Sequence, residues 1–127
     1  MRTLNFTAAA ALAFSVMTGC ASLDQATAVL DKYPGVQQQI TSYYDANATE
    51  QGWYCDAVTL DNITQVRVIR ETPEQLVLGV HYFFVSEMGG GRGSAPCEGF
   101  GTRVFTFDRS GGGYGLQSMT GEQRGNN

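Results

Sequence analysis

Positive charge is scarce in this chain: eight lysines and arginines stand against 12 aspartates and glutamates. The basic residues are scattered singly, so no stripe exists on which a nucleic-acid backbone could lie, and nucleic-acid binding is set aside. There is one histidine, His81, and there are three cysteines with no Cys-x-x-Cys spacing. Two cysteines and one distant histidine would underfill a zinc site, and no regular short spacing of oxygen ligands suggests calcium. Neither metal nor cofactor is expected. The glycine-rich segment Met88 to Ser94 lacks the GxxxxGK[ST] pattern, and no helical pattern follows it to offer an N-terminus to a phosphate. Prolines number only three against 16 glycines, which points to turns and close backbone approaches rather than to a proline-rich disordered chain. No apolar run reaches the roughly twenty residues of a membrane-spanning helix.

What is present begins at the amino terminus. Arg2 supplies a positive start and Ala8 to Met17 an apolar stretch of about ten residues, the dimensions of a signal-peptide core. The stretch ends in Met17-Thr18-Gly19-Cys20-Ala21-Ser22. This ending resembles the lipobox of bacterial lipoproteins, although Met17 stands where leucine is commoner. The resemblance covers residues 1–22 and implies that residues 1–19 are removed. It also implies that Cys20 carries diacylglycerol through a thioether, with residues 20–22 forming the lipidated terminus. Two or more acyl chains anchor stably where one does not. Ala21 resembles the outer-membrane sorting pattern, which places the protein in the envelope, facing the periplasm if the source is Gram-negative. The mature chain would keep seven basic and 12 acidic residues, a net charge of −5.

With Cys20 assigned to lipid, Cys55 and Cys97 remain, an even number in an exported domain. A disulfide between them is expected. Closing a loop of about forty residues would stabilise the fold by roughly 4 kcal/mol on the chain-entropy model.

From Leu23 to Asn47 apolar residues recur at three- and four-residue steps: Leu23, Ala26, Leu30, Tyr33, Val36, Ile40, Tyr43 and Tyr44. Pro34-Gly35 interrupts them and predicts a kink or a break into two helices, because proline removes a helical hydrogen bond. Gln37, Gln38, Gln39 and Ser42 would form the wet face of the second. From Trp53 the character changes to strand. Ile63 to Arg70 is β-branched with interleaved charges, and Thr72 to Gln75 is a tight connection. Leu76 to Val85 is apolar at both parities, which predicts a central strand shielded on both faces, with Gly79 admitting a close neighbour such as an aromatic ring. Phe100 to Asp108 alternates Thr102, Val104 and Thr106 against Arg103, Phe105 and Phe107. Arg109 to Gly113 is a hairpin connection, and Tyr114 to Met119 a short last strand. Helix first and short-looped strands after is the order of an α+β domain. The expectation is one domain over residues 23–121, a kinked helix or helix pair on an antiparallel meander of about four strands. That order resembles the cystatin-like arrangement. Residues 122–127 are read as a frayed tail.

No residue constellation points to catalysis. His81 lies in the strand expected to be most buried, and a thiol–histidine pair with Cys55 or Cys97 is opposed by their expected oxidation. The carboxylates Asp56, Asp61, Glu71, Glu74, Glu87, Glu98 and Asp108 are too many and too scattered to single out a pair. Trp53 and Tyr54, beside Cys55, together with Arg92 in the glycine-rich loop, are the residues expected to form a contact surface. The expected function is therefore that of a membrane-anchored envelope lipoprotein, a non-enzymatic binding or structural module. A ligand-binding or enzyme-inhibitor module is the alternative, and a small hydrolase the third reading.

Overall fold

The computed structural model describes residues 21–50, 55, 57–86 and 97–121. Its elements are α1 (Ala21–Leu30), α2 (Val36–Asn47), β1 (Thr59–Glu71), β2 (Gln75–Ser86), β3 (Cys97–Asp108) and β4 (Gly115–Met119). The four strands form one antiparallel sheet in the order β1-β2-β3-β4. This is the α+β meander expected, with the helices preceding the strands. Among the described residues no helix is long and apolar enough to cross a membrane.

Pro34-Gly35 breaks the helical region in two. Gly35 adopts φ 81° at the start of α2, a left-handed conformation that side chains disfavour. The apolar stripe nevertheless runs through the break, because Leu30, Tyr33 and Val36 are all buried at three-residue steps. In α2 the stripe is Val36, Ile40 and Tyr44, each fully buried. These residues pack on the sheet face carrying Leu76, Leu78, Val80, Tyr82, Phe84, Phe105 and Phe107. Burying each such aliphatic side chain is worth about 1.5–3 kcal/mol, which makes this layer the main source of stability.

Strand β1 departs from simple alternation. Its buried residues Leu60, Ile63 and Val66 are three apart. Register shifts between Leu60/Asn62, Ile63/Gln65 and Val68/Arg70 explain the spacing. Each of the first two adds a residue and returns the next apolar side chain, Ile63 and then Val66, to the core. Side chains from the helices also blunt this edge strand. Gln25 of α1 donates from Nε2 to the Val66 carbonyl at 2.6 Å and accepts from the Val66 N–H at 3.1 Å. Asp45 of α2 accepts from the Leu60 N–H at 2.8 Å. Unpaired edge groups invite foreign strands, and this is one way of occupying them. At the opposite edge Gln39 does the same, donating to Tyr114 O and accepting from Leu116 N. Gln39 therefore belongs to the interface with β4 rather than to a wet face, whereas Gln37, Gln38 and Ser42 are exposed as expected.

Strand β2 is central, but its two faces differ. The parity of Leu76 to Phe84 is buried beneath the helices, while on the other His81 is exposed and Val77, Phe83 and Val85 are half-buried. The expected shielding element is not found among the described residues. Neighbours within the sheet supply the partial burial instead: Phe83 and Phe100 have ring centroids 5.0 Å apart. Nor does an aromatic ring lie at Gly79. A methyl group there would stand 3.3 Å from Ile69 Cδ1, so an aliphatic side chain fills that place.

Cys55 and Cys97 are disulfide-bonded, with Cα atoms 5.7 Å apart. Cys97 opens β3, and Cys55 pairs with Glu50 through two backbone hydrogen bonds of 3.1 Å. The bond thus ties the connector after α2 to the third strand.

Candidate functional site

Three groups of polar residues come together, and each must be asked what it could do. The first is built around Arg103, which shares its parity on β3 with Phe105 and Phe107 and so points into the protein, 7 % exposed. Its Nε donates to Tyr82 Oη at 2.8 Å, and Nη1 donates to the Thr120 carbonyl at 2.8 Å. Nη2 donates to the Thr49 carbonyl at 2.7 Å and to Glu50 Oε1 at 3.0 Å. That same carboxylate oxygen accepts from Tyr44 Oη at 2.8 Å and Tyr82 Oη at 2.5 Å. The Arg103 guanidinium also lies over the Tyr44 ring, 5.6 Å from its centre. Gly101 makes room for this arrangement, since a methyl group there would fall 2.5 Å from Tyr82 Oη.

Electrostatics explains why the group is stable and chemically quiet. Burial, followed by the hydrogen bond to Glu50, pushes the Tyr82 hydroxyl up to about 12. The same two causes hold Tyr44 higher still. Burial alone would favour neutral Arg103, but its hydrogen bonds to Tyr82 and Glu50 outweigh that and keep the guanidinium charged. Glu50 Oε1 already accepts three donors, and among the described residues no buried side-chain nitrogen or oxygen lacks a partner. A carboxylate oxygen so engaged, between two protonated phenols, is committed to the fold rather than to a substrate proton. The group clasps α2, the connector at residues 49–50, β2 and the end of β4.

A second group of the same residue kinds sits at the other end of the sheet. Tyr33 donates to Glu71 Oε2 at 2.6 Å, and Arg109 Nη1 stands 3.6 Å from Glu71 Oε1 while donating to the Thr72 carbonyl. Arg109 lies over the Tyr114 ring at 5.4 Å, and Tyr33 meets Tyr114 edge-on at 5.6 Å. Burial and then the Glu71 hydrogen bond raise Tyr33 to about 12. This group faces water, the Glu71 side chain being 45 % exposed.

The third group occupies the open sheet face. His81 is exposed there, its Nδ1 2.9 Å from Thr102 Oγ1. A depression of about 160 Å³ beside it is lined by Gln65, Arg67, Gly79, His81 and Thr102, with no carboxylate among them. Among the described residues His81 therefore has neither the burial nor the acidic partner that a catalytic histidine would use. Along the same face Phe100 is 77 % exposed, next to Phe83. Of the scattered carboxylates, Glu71 is in the second group, while Asp108 accepts from the Ser110 N–H and is held low by that bond.

Cys20, Trp53, Tyr54 and Arg92 lie outside the described residues, as does the 88–96 loop. Arg103 and Glu50, the best-connected polar residues described, were not singled out by sequence reasoning. The alternation of Arg103 with Phe105 and Phe107 was the signal for its burial, but nothing local marks Glu50. Comparison with protein-family models, with curated proteins and with solved structures finds no match.

Proposed function

We propose that this protein is a lipid-anchored lipoprotein of the bacterial envelope whose domain is a non-enzymatic binding or structural module. The observation that carries the anchor is the ending Met17-Thr18-Gly19-Cys20, with a short apolar core before it. Cys20 is the lipid attachment site, and Ala21 favours the outer membrane facing the periplasm if the source is Gram-negative. Two features support a binding module. The best-connected polar group is spent on holding the fold together, and the sheet face away from the helices presents the exposed Phe100 beside the half-buried Phe83. Exposed aromatics next to one another are the usual material of contact surfaces.

Metabolic labelling with a fatty-acid analogue should mark the wild type and not Cys20→Ala, which should persist as an unprocessed or soluble form. Wild-type protein that never takes the label would overturn the anchor. A photo-crosslinking side chain placed at Phe100 should capture a discrete envelope component in intact cells, and one at Gln38 on the helical side should not. Equal capture at both positions would contradict the open face as the contact surface. The second reading, a small-ligand module, is favoured by the depression at Gly79 on that same face.

A further inference from the structure

We propose that the depression at Gly79 binds a phosphate group. The inference deepens the binding-module reading and rests on the open face being the contact surface, though not on lipidation. Three strands build the site. Gln65 of β1, His81 of β2 and Thr102 of β3 stand side by side in one row across the sheet. In the next row Arg67 and Val104 flank Gly79. Because Gly79 has no side chain, Ile69 reaches in over it, and the depression of about 160 Å³ lies beside it among the flanking side chains. Arg67 Nε lies 3.9 Å from where a methyl group on Gly79 would be, and Ile69 closes the far side. The floor is thus backbone, with polar side chains rising around it.

The chemistry of those side chains selects an oxyanion. Arg67 supplies a planar fork of N–H donors suited to phosphate or carboxylate oxygens. Thr102 engages His81 at Nδ1, so a neutral ring that accepts there carries its proton on Nε2, and a protonated ring donates from Nε2 as well. Gln65 adds an amide donor on the same strand as Arg67. Donors converging from three side chains match the several acceptor oxygens of phosphate better than the two of a carboxylate. Arg103 and Arg109 each face a glutamate. Arg67 takes part in no ion pair among the described residues, which leaves its charge available. Among the other charged groups of this face, Arg70 is one row away opposite Val77, and so adds positive potential. Glu98 stands opposite Val85, two rows beyond His81 and roughly 13 Å distant at the usual rise of a strand. A phosphate here could come from a lipid headgroup or from a soluble phosphate ester.

His81 is the sole histidine, so its imidazole C2–H resonance in the full-length protein, held in zwitterionic detergent, is unambiguous. Inorganic phosphate, titrated against chloride at fixed pH and ionic strength, should shift that resonance and the Gly79 amide saturably. Arg67→Gln should weaken the response by about tenfold or more, and Arg70→Gln should change it far less. Glycerol 3-phosphate and phosphatidylglycerol vesicles form two further arms: a response to the first alone identifies a soluble ester, and a stronger response to the second a headgroup. Shifts that do not saturate, or that are the same in Arg67→Gln, overturn the proposal. Capture at Phe100 without phosphate binding would sink this inference and spare the module, whereas failure of both would remove the open face altogether.

Discussion

Six residues apart, Arg103 on β3 and Arg109 just past its end are each grouped with a glutamate and two tyrosines, yet the two groups serve the fold differently. Arg103, Glu50, Tyr44 and Tyr82 are enclosed: the side chains of Arg103 and Glu50 are 8 % and 14 % exposed, and the ion pair is 3.0 Å long. Arg109, Glu71, Tyr33 and Tyr114 are wetter, with the arginine and glutamate side chains 25 % and 45 % exposed and 3.6 Å apart. Water screens the second pair and can replace either partner. The first pair has no such substitute, so removing one member strands the other. Residue kinds alone therefore do not reveal a role, and the surroundings decide it.

The largest expected effect comes from stranding the buried cation. Glu50→Ala should destabilise the protein by about 3–5 kcal/mol, the range for an uncompensated buried charge. Denaturant unfolding with a slope unchanged from wild type would read it. A loss below about 1 kcal/mol would mean that water reaches Arg103 and that the two groups are alike.

Alkaline pH probes both groups at once. Tyr33 and Tyr82 are raised to about 12, and Tyr44 further, whereas tyrosines of an unfolded chain ionise near 10. The folded state thus holds its phenolic protons to higher pH. The stability tied to them is intact below pH ~10 and is lost as pH rises from ~10 through ~12. Tyrosinate absorbance from these residues should appear together with the loss of circular dichroism. Full ionisation near pH ~10 in a protein that stays folded would contradict the assignment, and Tyr44→Phe should lessen the alkaline sensitivity.

Between the extremes stands Gln25, whose amide holds both backbone groups of Val66 on the bulged edge. Gln25→Ala should cost about 1–2 kcal/mol, because water can reach only part of what is released. Faster amide exchange at Val66 than at Val80 would localise the effect. The smallest change is expected at the open group, where Arg109→Ala should cost about 0.2–1 kcal/mol, less at high salt.

Much of the framework was legible because its signals are local. Pro34-Gly35 marked the break between helices, Leu76 to Val85 marked the central strand, and the two cysteines left over once Cys20 is set aside marked the disulfide. Strand β1 was harder: two bulges space Leu60, Ile63 and Val66 like residues of a helix, and a bulge has no residue signature here. The second face of β2 misled for another reason. Val77, Phe83 and Val85 suggested a covering layer, but in-plane neighbours, as Phe100 is to Phe83, give apolar side chains partial cover without one. The clasp joins Glu50 to Arg103 across 53 positions, and only folding reveals such a partner. Gln39 likewise read as part of a wet helix face until a strand edge was placed beside it, and nothing local marked Gln25.

A pair of double-mutant cycles tests the contrast most directly, one on Glu50 and Arg103, the other on Glu71 and Arg109. Glu50→Leu combined with Arg103→Met should recover part of the stability lost in Glu50→Leu alone, giving a coupling of about 1–3 kcal/mol. The Glu71→Ala and Arg109→Ala cycle should give no more than about 0.5 kcal/mol. Equal couplings in the two cycles would contradict the account.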